Sequence, residues 1–132
     1  MPLKKVLVVD DEVHIVHVVA IKLRNNGYEA IVAGNGAEAY ELACKESPDL
    51  VVADLMMPVM DGVQLIEKLR SNEQTKDIPV ILLTARNFAV TEERQQELRI
   101  AQCITKPFSP KELLRTIEDV IYQGSMAMVG QS

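Results

Sequence analysis

An α/β protein, with a parallel sheet covered by helices on both faces, is predicted by three observations. Short apolar runs alternate with amphipathic segments five times, several of those runs lack polar alternation, and the segments between them open on legible helix-start signals. The runs fall at residues 6–9, 28–33, 50–53, 80–83 and 101–105. A strand that is apolar at every position has both faces buried, the condition inside a parallel sheet with right-handed crossovers.

The helical segments carry their own punctuation. Asn35 with Glu38, Asp61 with Gln64, and Ser109 with Glu112 have capping-box spacing. Pro110 takes the first helical position after Ser109, where a missing N–H costs nothing. The last helix places Leu113, Leu114, Ile117, Val120 and Ile121 on one side. In the first helix, Ile15, Val18, Val19 and Leu23 share one broad arc assigned to the core. Val13, Val16 and Ala20 then fall opposite, as a candidate partner-docking stripe. The fourth helix, with 91–97 as its middle, offers no apolar anchor before Leu98 and is expected to be loosely held. From residue 123 the chain turns small and mixed, so the domain is expected over 1–122 and a tail or linker stub over 123–132.

Composition bounds the function. A chain of 132 residues with 48% hydrophobic and 25% charged residues can bury one sizeable core as one globular domain. A net charge of -5 leaves little to neutralise a run of phosphates, which argues against direct nucleic-acid binding. Two cysteines, Cys44 and Cys103, are too few to staple a secreted fold, and the first apolar run is too short for a signal peptide or membrane span. A cytoplasmic protein that does not bind membranes is the expectation.

The polar residues that interrupt the pattern fall at one kind of place. Asp10 and Asp11 follow the first run, Asp54 the third, Thr84 the fourth and Lys106 the fifth. All sit at carboxyl ends of predicted strands, the edge where open α/β sheets bind ligands. If strands one and three are neighbours, three carboxylates converge, repel one another and favour a hard cation such as Mg²⁺. A lysine and a hydroxyl beside that acidic pocket complete a phosphoryl-transfer constellation. Taken singly each residue has an ordinary explanation; five at four strand ends do not. His14 and His17, three apart on the first helix with no further ligand nearby, read as a solvated helix face.

Four motifs occur in a familiar order: Val8-Val9-Asp10-Asp11-Glu12, then Asp54-Leu55-Met56-Met57-Pro58-Val59-Met60-Asp61-Gly62, Leu83-Thr84-Ala85, and Thr105-Lys106-Pro107-Phe108. With them the chain resembles the response-regulator receiver domains of two-component signalling, CheY-like proteins, over roughly residues 4 to 122. The resemblance implies a flavodoxin-like, doubly wound, five-stranded parallel sheet of order 2-1-3-4-5 with five helices. It implies that Asp54 accepts a phosphoryl group from a histidine kinase or phosphotransfer protein. Asp11 and Asp54 would then ligate Mg²⁺ directly, Asp10 through water, and the Met56 carbonyl would complete the protein's share. Thr84 and Lys106 would contact the phosphoryl group, the Lys106–Pro107 bond would be cis, and the phosphodonor's helix would dock on the first helix and the loop after the fifth strand. Such a domain catalyses its own phosphorylation and dephosphorylation and turns over no external metabolite.

Three positions depart from the commonest family pattern. Cys103 stands where an aromatic usually reports the phosphorylated state, and Met56 and Arg86 occupy positions that tune phosphoryl lifetime. The competing reading is a receiver-like protein-binding module that signals without phosphorylation; Cys103 is the feature in its favour. A flavodoxin-like cofactor binder comes third, because a cofactor phosphate would meet carboxylates. No motif names the kinase, the downstream protein or effector, or the pathway.

Overall fold

The computed structural model describes the backbone of residues 3–85 and 90–130 and the side chains of residues 3–85 and 90–123. Five strands alternate with five helices: β1 Lys5–Val9, α1 Val13–Asn25, β2 Glu29–Ala33, α2 Gly36–Glu46, β3 Leu50–Asp54, α3 Gly62–Arg70, β4 Val80–Thr84, α4 Glu92–Leu98, β5 Ile100–Thr105 and α5 Pro110–Gly130. All neighbours are parallel, in the order β2-β1-β3-β4-β5. The strand order reverses between β1 and β3, so their carboxyl ends open onto one crevice.

The unbroken apolar runs serve two cores. Alternate residues point to opposite faces of a strand. Leu7, Val9, Val51, Ala53 and Leu82 therefore pack with Leu65, Ile66 and Leu69 of α3 on one side. Val6, Val8, Val52, Ile81 and Leu83 pack with Val19 and Leu23 of α1 and Leu113 and Ile117 of α5 on the other. Every residue of β3 and β4 is buried, and these are the strands that carry Asp54 and Thr84.

The helix starts follow the sequence closely. Asp61 and Gln64 form a complete capping box at α3, with N–H···O distances of 2.9 and 2.8 Å. Asn35 accepts from the Glu38 N–H at 2.8 Å, and Ser109 accepts from the Lys111 and Glu112 N–H groups at 3.2 and 3.4 Å. Two helices differ from expectation at their ends. The fourth begins at Glu92, within the stretch expected to be its middle, because the Thr91 side chain accepts from the Arg94 N–H at 3.2 Å and caps it. The last runs on through Gly130, into the stretch read above as a tail or linker stub.

α1 is rotated from the face assigned above, keeping Val19 and Leu23 in the core and Ile15 against it. Val16, Val19, Ala20 and Leu23 are its buried residues, an i, i+3, i+4, i+7 stripe against β2, β1 and α5. Val18, assigned to the core, is 48% exposed. Val16 and Ala20, assigned to a docking stripe with Val13, are only 7% and 2% exposed. Of that stripe Val13 alone lies at the surface. In a helix with apolar residues around most of its circumference, periodicity defines a stripe but leaves its rotation to the packing partners.

Candidate functional site

The carboxyl ends of β1, β3, β4 and β5 bring the five singled-out residues together. Asp10 follows β1 and is buried, Asp54 and Thr84 end β3 and β4 and are buried, and Asp11 is exposed on the β1–α1 turn. Oxygens of Asp10, Asp11 and Asp54 lie within 4.8 Å of one another. Lys106 reaches in from the β5–α5 loop, its Nζ 2.9 Å from Asp10 and 3.3 Å from Asp54. Its main-chain N–H donates to the Thr84 carbonyl at 2.7 Å, which ties the lysine loop to the end of β4. The Lys106–Pro107 peptide is cis.

Local packing fixes the phosphoacceptor candidate in place. Gly62, the first residue of α3, donates its N–H to the Leu55 carbonyl at 2.9 Å. A Cβ at Gly62 would stand 2.6 Å from the Asp54 carbonyl oxygen and 2.8 Å from Leu82, so only glycine lets α3 start this close to β3. Gly36 plays the same part at the opposite rim, where a Cβ would meet the Met60 carbonyl at 2.8 Å.

The electrostatics follow from crowding. Burial, then the neighbouring Asp10 charge, push the Asp54 carboxyl up to about 6 against a smaller lowering by Lys106, with Asp11 adding to the rise. Burial by itself would lower the Lys106 ammonium. Its hydrogen bonds to Asp10 and Glu12 and the charge of Asp54 outweigh that, and its pKa lies above the usual lysine range. An all-oxygen set of three carboxylates in one pocket fits a hard divalent cation such as Mg²⁺, which takes oxygen ligands and keeps some of its waters.

The remaining candidates are less central. Met56 is 51% exposed on the β3–α3 connection. Cys103 is half-buried on β5, packed against the core on the α3 side, and burial raises its thiol pKa. Arg86 lies outside the described residues. His14 and His17 are exposed on α1.

One feature escaped the sequence reading, and a second was expected only in outline, as a docking surface on the first helix and the loop after the fifth strand. Glu12 places its carboxylate 3.1 Å from Lys106 Nζ. The signal was present, a third acid directly after Asp10-Asp11, but nothing in the spacing says that it folds back on the lysine. Beside it, Ile15 and Val18 of α1 face Pro107, Phe108 and Pro110 across a cleft of about 470 Å³ that is bounded by Lys106. This cleft joins residues far apart in sequence, and only the packing of α1 against α5 creates it.

Comparison with known proteins agrees with the geometry. A family model described as the response regulator receiver domain matches residues 6–118. The alkaline phosphatase synthesis transcriptional regulatory protein PhoP of Bacillus subtilis is 37% identical over 94% of this chain and 51% of its own length. The phosphate regulon transcriptional regulatory protein PhoB of Pseudomonas aeruginosa is 37% identical over 89% of this chain and 52% of its own. The chain thus spans about half the length of these curated relatives. Among solved structures, the Vibrio cholerae chemotaxis protein CheY4 has a TM-score of 0.82 at 32% identity, covering 90% of this chain and 99% of that one. With the strand order, the acidic pocket and the matched span in agreement, the chain belongs to the response regulator receiver domain family of two-component signalling.

Proposed function

We propose that Asp54 is the phosphoacceptor of a switch loaded by a histidine kinase or phosphotransfer protein in the cytoplasm. The observation that carries this reading is the placement of Asp54: buried at the end of the central strand, within 4.8 Å of two further aspartates and 3.3 Å from Lys106. An Asp54 carboxylate oxygen bonds to phosphorus as the donor's phosphorus–nitrogen bond breaks, and the departing imidazole takes its proton from solvent. In the reverse direction of the switch, a water oxygen bonds to phosphorus and the acyl–phosphate bond breaks. Inorganic phosphate leaves and the Asp54 carboxylate is restored.

Asp10, Asp11, Asp54 and the Met56 carbonyl are the groups assigned to hold Mg²⁺. A bound divalent ion there would supply charge neutralisation as an anionic carboxylate approaches an anionic phosphate. Lys106 stabilises charge on the phosphoryl oxygens from the opposite side, and Thr84 donates its hydroxyl. Met56, whose thioether neither gives up nor accepts a proton readily, does nothing to orient the hydrolytic water, so the acyl phosphate is long-lived. The phosphodonor's helix docks in the cleft of Ile15, Val18 and Phe108, which replaces the Val13, Val16 and Ala20 stripe, because two of those three side chains are buried. The α4 side of the sheet carries the output, since α4 buries only Leu98.

Incubation with acetyl phosphate and Mg²⁺ should add one phosphoryl group by intact mass, located at Asp54. Asp54→Asn and chelation of the metal should each abolish it. Labelling at another residue, or at Asp54 with the metal removed, refutes the assignment. No labelling under any condition favours the phosphorylation-independent binding module.

A further inference from the structure

Lys106 is the one cation in contact with the acidic pocket among the described residues, and it is shared by three carboxylates: Asp10 at 2.9 Å, Glu12 at 3.1 Å and Asp54 at 3.3 Å. Two of the three belong to the aspartate cluster suited to a metal ion; Glu12 lies outside it. A divalent cation satisfies Asp10 and Asp54 and weakens their hold on the lysine. Glu12 has no such replacement partner in the pocket.

Glu12 is the N-cap residue of α1, a position that favours short side chains such as Asp or Asn over the longer glutamate. Its side chain makes no capping bond, and the first turn of α1 contains no other acid. Its main chain is nonetheless held firmly. The Glu12 N–H donates to Asp10 Oδ1 at 3.0 Å, and its carbonyl accepts from Ile15 and Val16 at 3.1 and 3.2 Å. The Glu12 carboxylate therefore projects from a fixed base toward Lys106, with its other oxygen 3.8 Å from His14 Nε2.

We propose that Glu12 is a positioning residue: it holds the Lys106 ammonium at the rim of the pocket and competes with the phosphoryl group for it. Resting on the assignment of Asp54 as phosphoacceptor, this makes Glu12 a brake on loading. Lys106 must leave Glu12 before it can stabilise the transferring group, so the contact favours the ground state over the transition state and slows the reaction.

The test compares Glu12→Gln and Glu12→Asp, in the wild-type and Lys106→Ala backgrounds, for the rate of Asp54 labelling by acetyl phosphate at saturating Mg²⁺. Glu12→Gln should label about three- to tenfold faster, the range for losing one half-exposed, charge-assisted contact. Glu12→Asp keeps the charge but is one methylene too short to span the contact, and should be accelerated as well. Neither change should accelerate labelling once Lys106 is Ala, because the two residues act as one unit. A second readout needs no phosphate: in the metal-free protein, the Lys106 ammonium protons seen by nuclear magnetic resonance should exchange faster in Glu12→Gln than in wild type. Unchanged rates and exchange, wild-type behaviour of Glu12→Asp, or acceleration that persists in Lys106→Ala each overturn the proposal. If wild type takes up no label at all, the assignment of Asp54 fails, and the ammonium exchange alone decides whether Glu12 holds the lysine.

Discussion

Asp54→Asn should stabilise the metal-free protein at neutral and alkaline pH. In the fold the Asp54 carboxyl is raised from 3.8 to about 6, chiefly by burial and by Asp10. A raised pKa means that the folded chain binds the proton more tightly than the unfolded chain does. The stability this confers is full below about pH 4 and is lost as pH rises through about 6. At about 1.4 kcal/mol per unit, ionised Asp54 destabilises the fold at pH 8 by roughly 3 kcal/mol. Asparagine has nearly the same shape and no charge, and Lys106 keeps Asp10 and Glu12 as partners. A gain of about 2–3 kcal/mol corresponds to a rise of roughly 6–15 °C in Tm for a domain of this size. Thermal and urea unfolding in chelator should show the gain at pH 8 and little difference at pH 4. Adding Mg²⁺ should narrow or reverse the gap, since the ion stabilises the chain with the intact carboxylate set more strongly. An asparagine variant no more stable than wild type at pH 8 in chelator would refute the claim that Asp54 is held charged against its surroundings.

Three further outcomes follow from the packing. Gly62→Ala should destabilise by about 1–3 kcal/mol and slow labelling of Asp54, because its Cβ meets the Asp54 carbonyl at 2.6 Å; an unchanged unfolding midpoint would show that α3 shifts freely. Arg70 donates to the carbonyls of Leu98, Lys76, Ile78 and Arg99 at 2.7–3.3 Å, so Arg70→Ala should speed hydrogen exchange of the α4 amides far more than those of α5, and equal effects would count against a pinned α4. Val16→Glu should cost several kcal/mol by burying a charge, whereas Val18→Glu should leave folding and acetyl-phosphate labelling intact and slow phosphotransfer from a cognate kinase about tenfold or more; folding measurements and transfer kinetics on both variants check this.

What could be read from the sequence and what could not divide along a physical line. A polar residue after a fully apolar run is a sharp signal, because a buried parallel strand tolerates no such residue until it ends. Asp10, Asp54 and Thr84 were therefore legible, and so was the sheet edge they share. The caps at Asn35, Asp61 and Ser109 were legible for a similar reason, since a short polar side chain three residues before an acid or amide has a local job. Thr91 was overlooked because the charged run after it has no apolar rhythm to mark a start. The inward face of α1 is only half legible, with Val19 and Leu23 assigned correctly but Val16, Val18 and Ala20 not, because Val13, Ile15, Val16, Val18, Val19, Ala20 and Ile21 make nearly every rotation of that helix plausible. Which rotation wins depends on β2 and α5, elements encoded elsewhere in the chain.

Glu12 exposes a subtler limit. Spacing identifies groups that a fold can bring together, but the winner among competing partners depends on distances of a few tenths of an ångström. Lys106 could neutralise any of four acids at this edge, and the structure pairs it with three, leaving exposed Asp11 out. That choice sets the order of exchange in the pocket. The carboxylates that pair with Lys106 most deeply are also those suited to a metal, so a bound ion would loosen their hold on the lysine and leave it to the most solvated partner. A half-exposed pair in high dielectric is the cheapest of the three to break. The lysine is then held where it can move to a phosphoryl group without crossing a large barrier, and Glu12 sets how readily it goes.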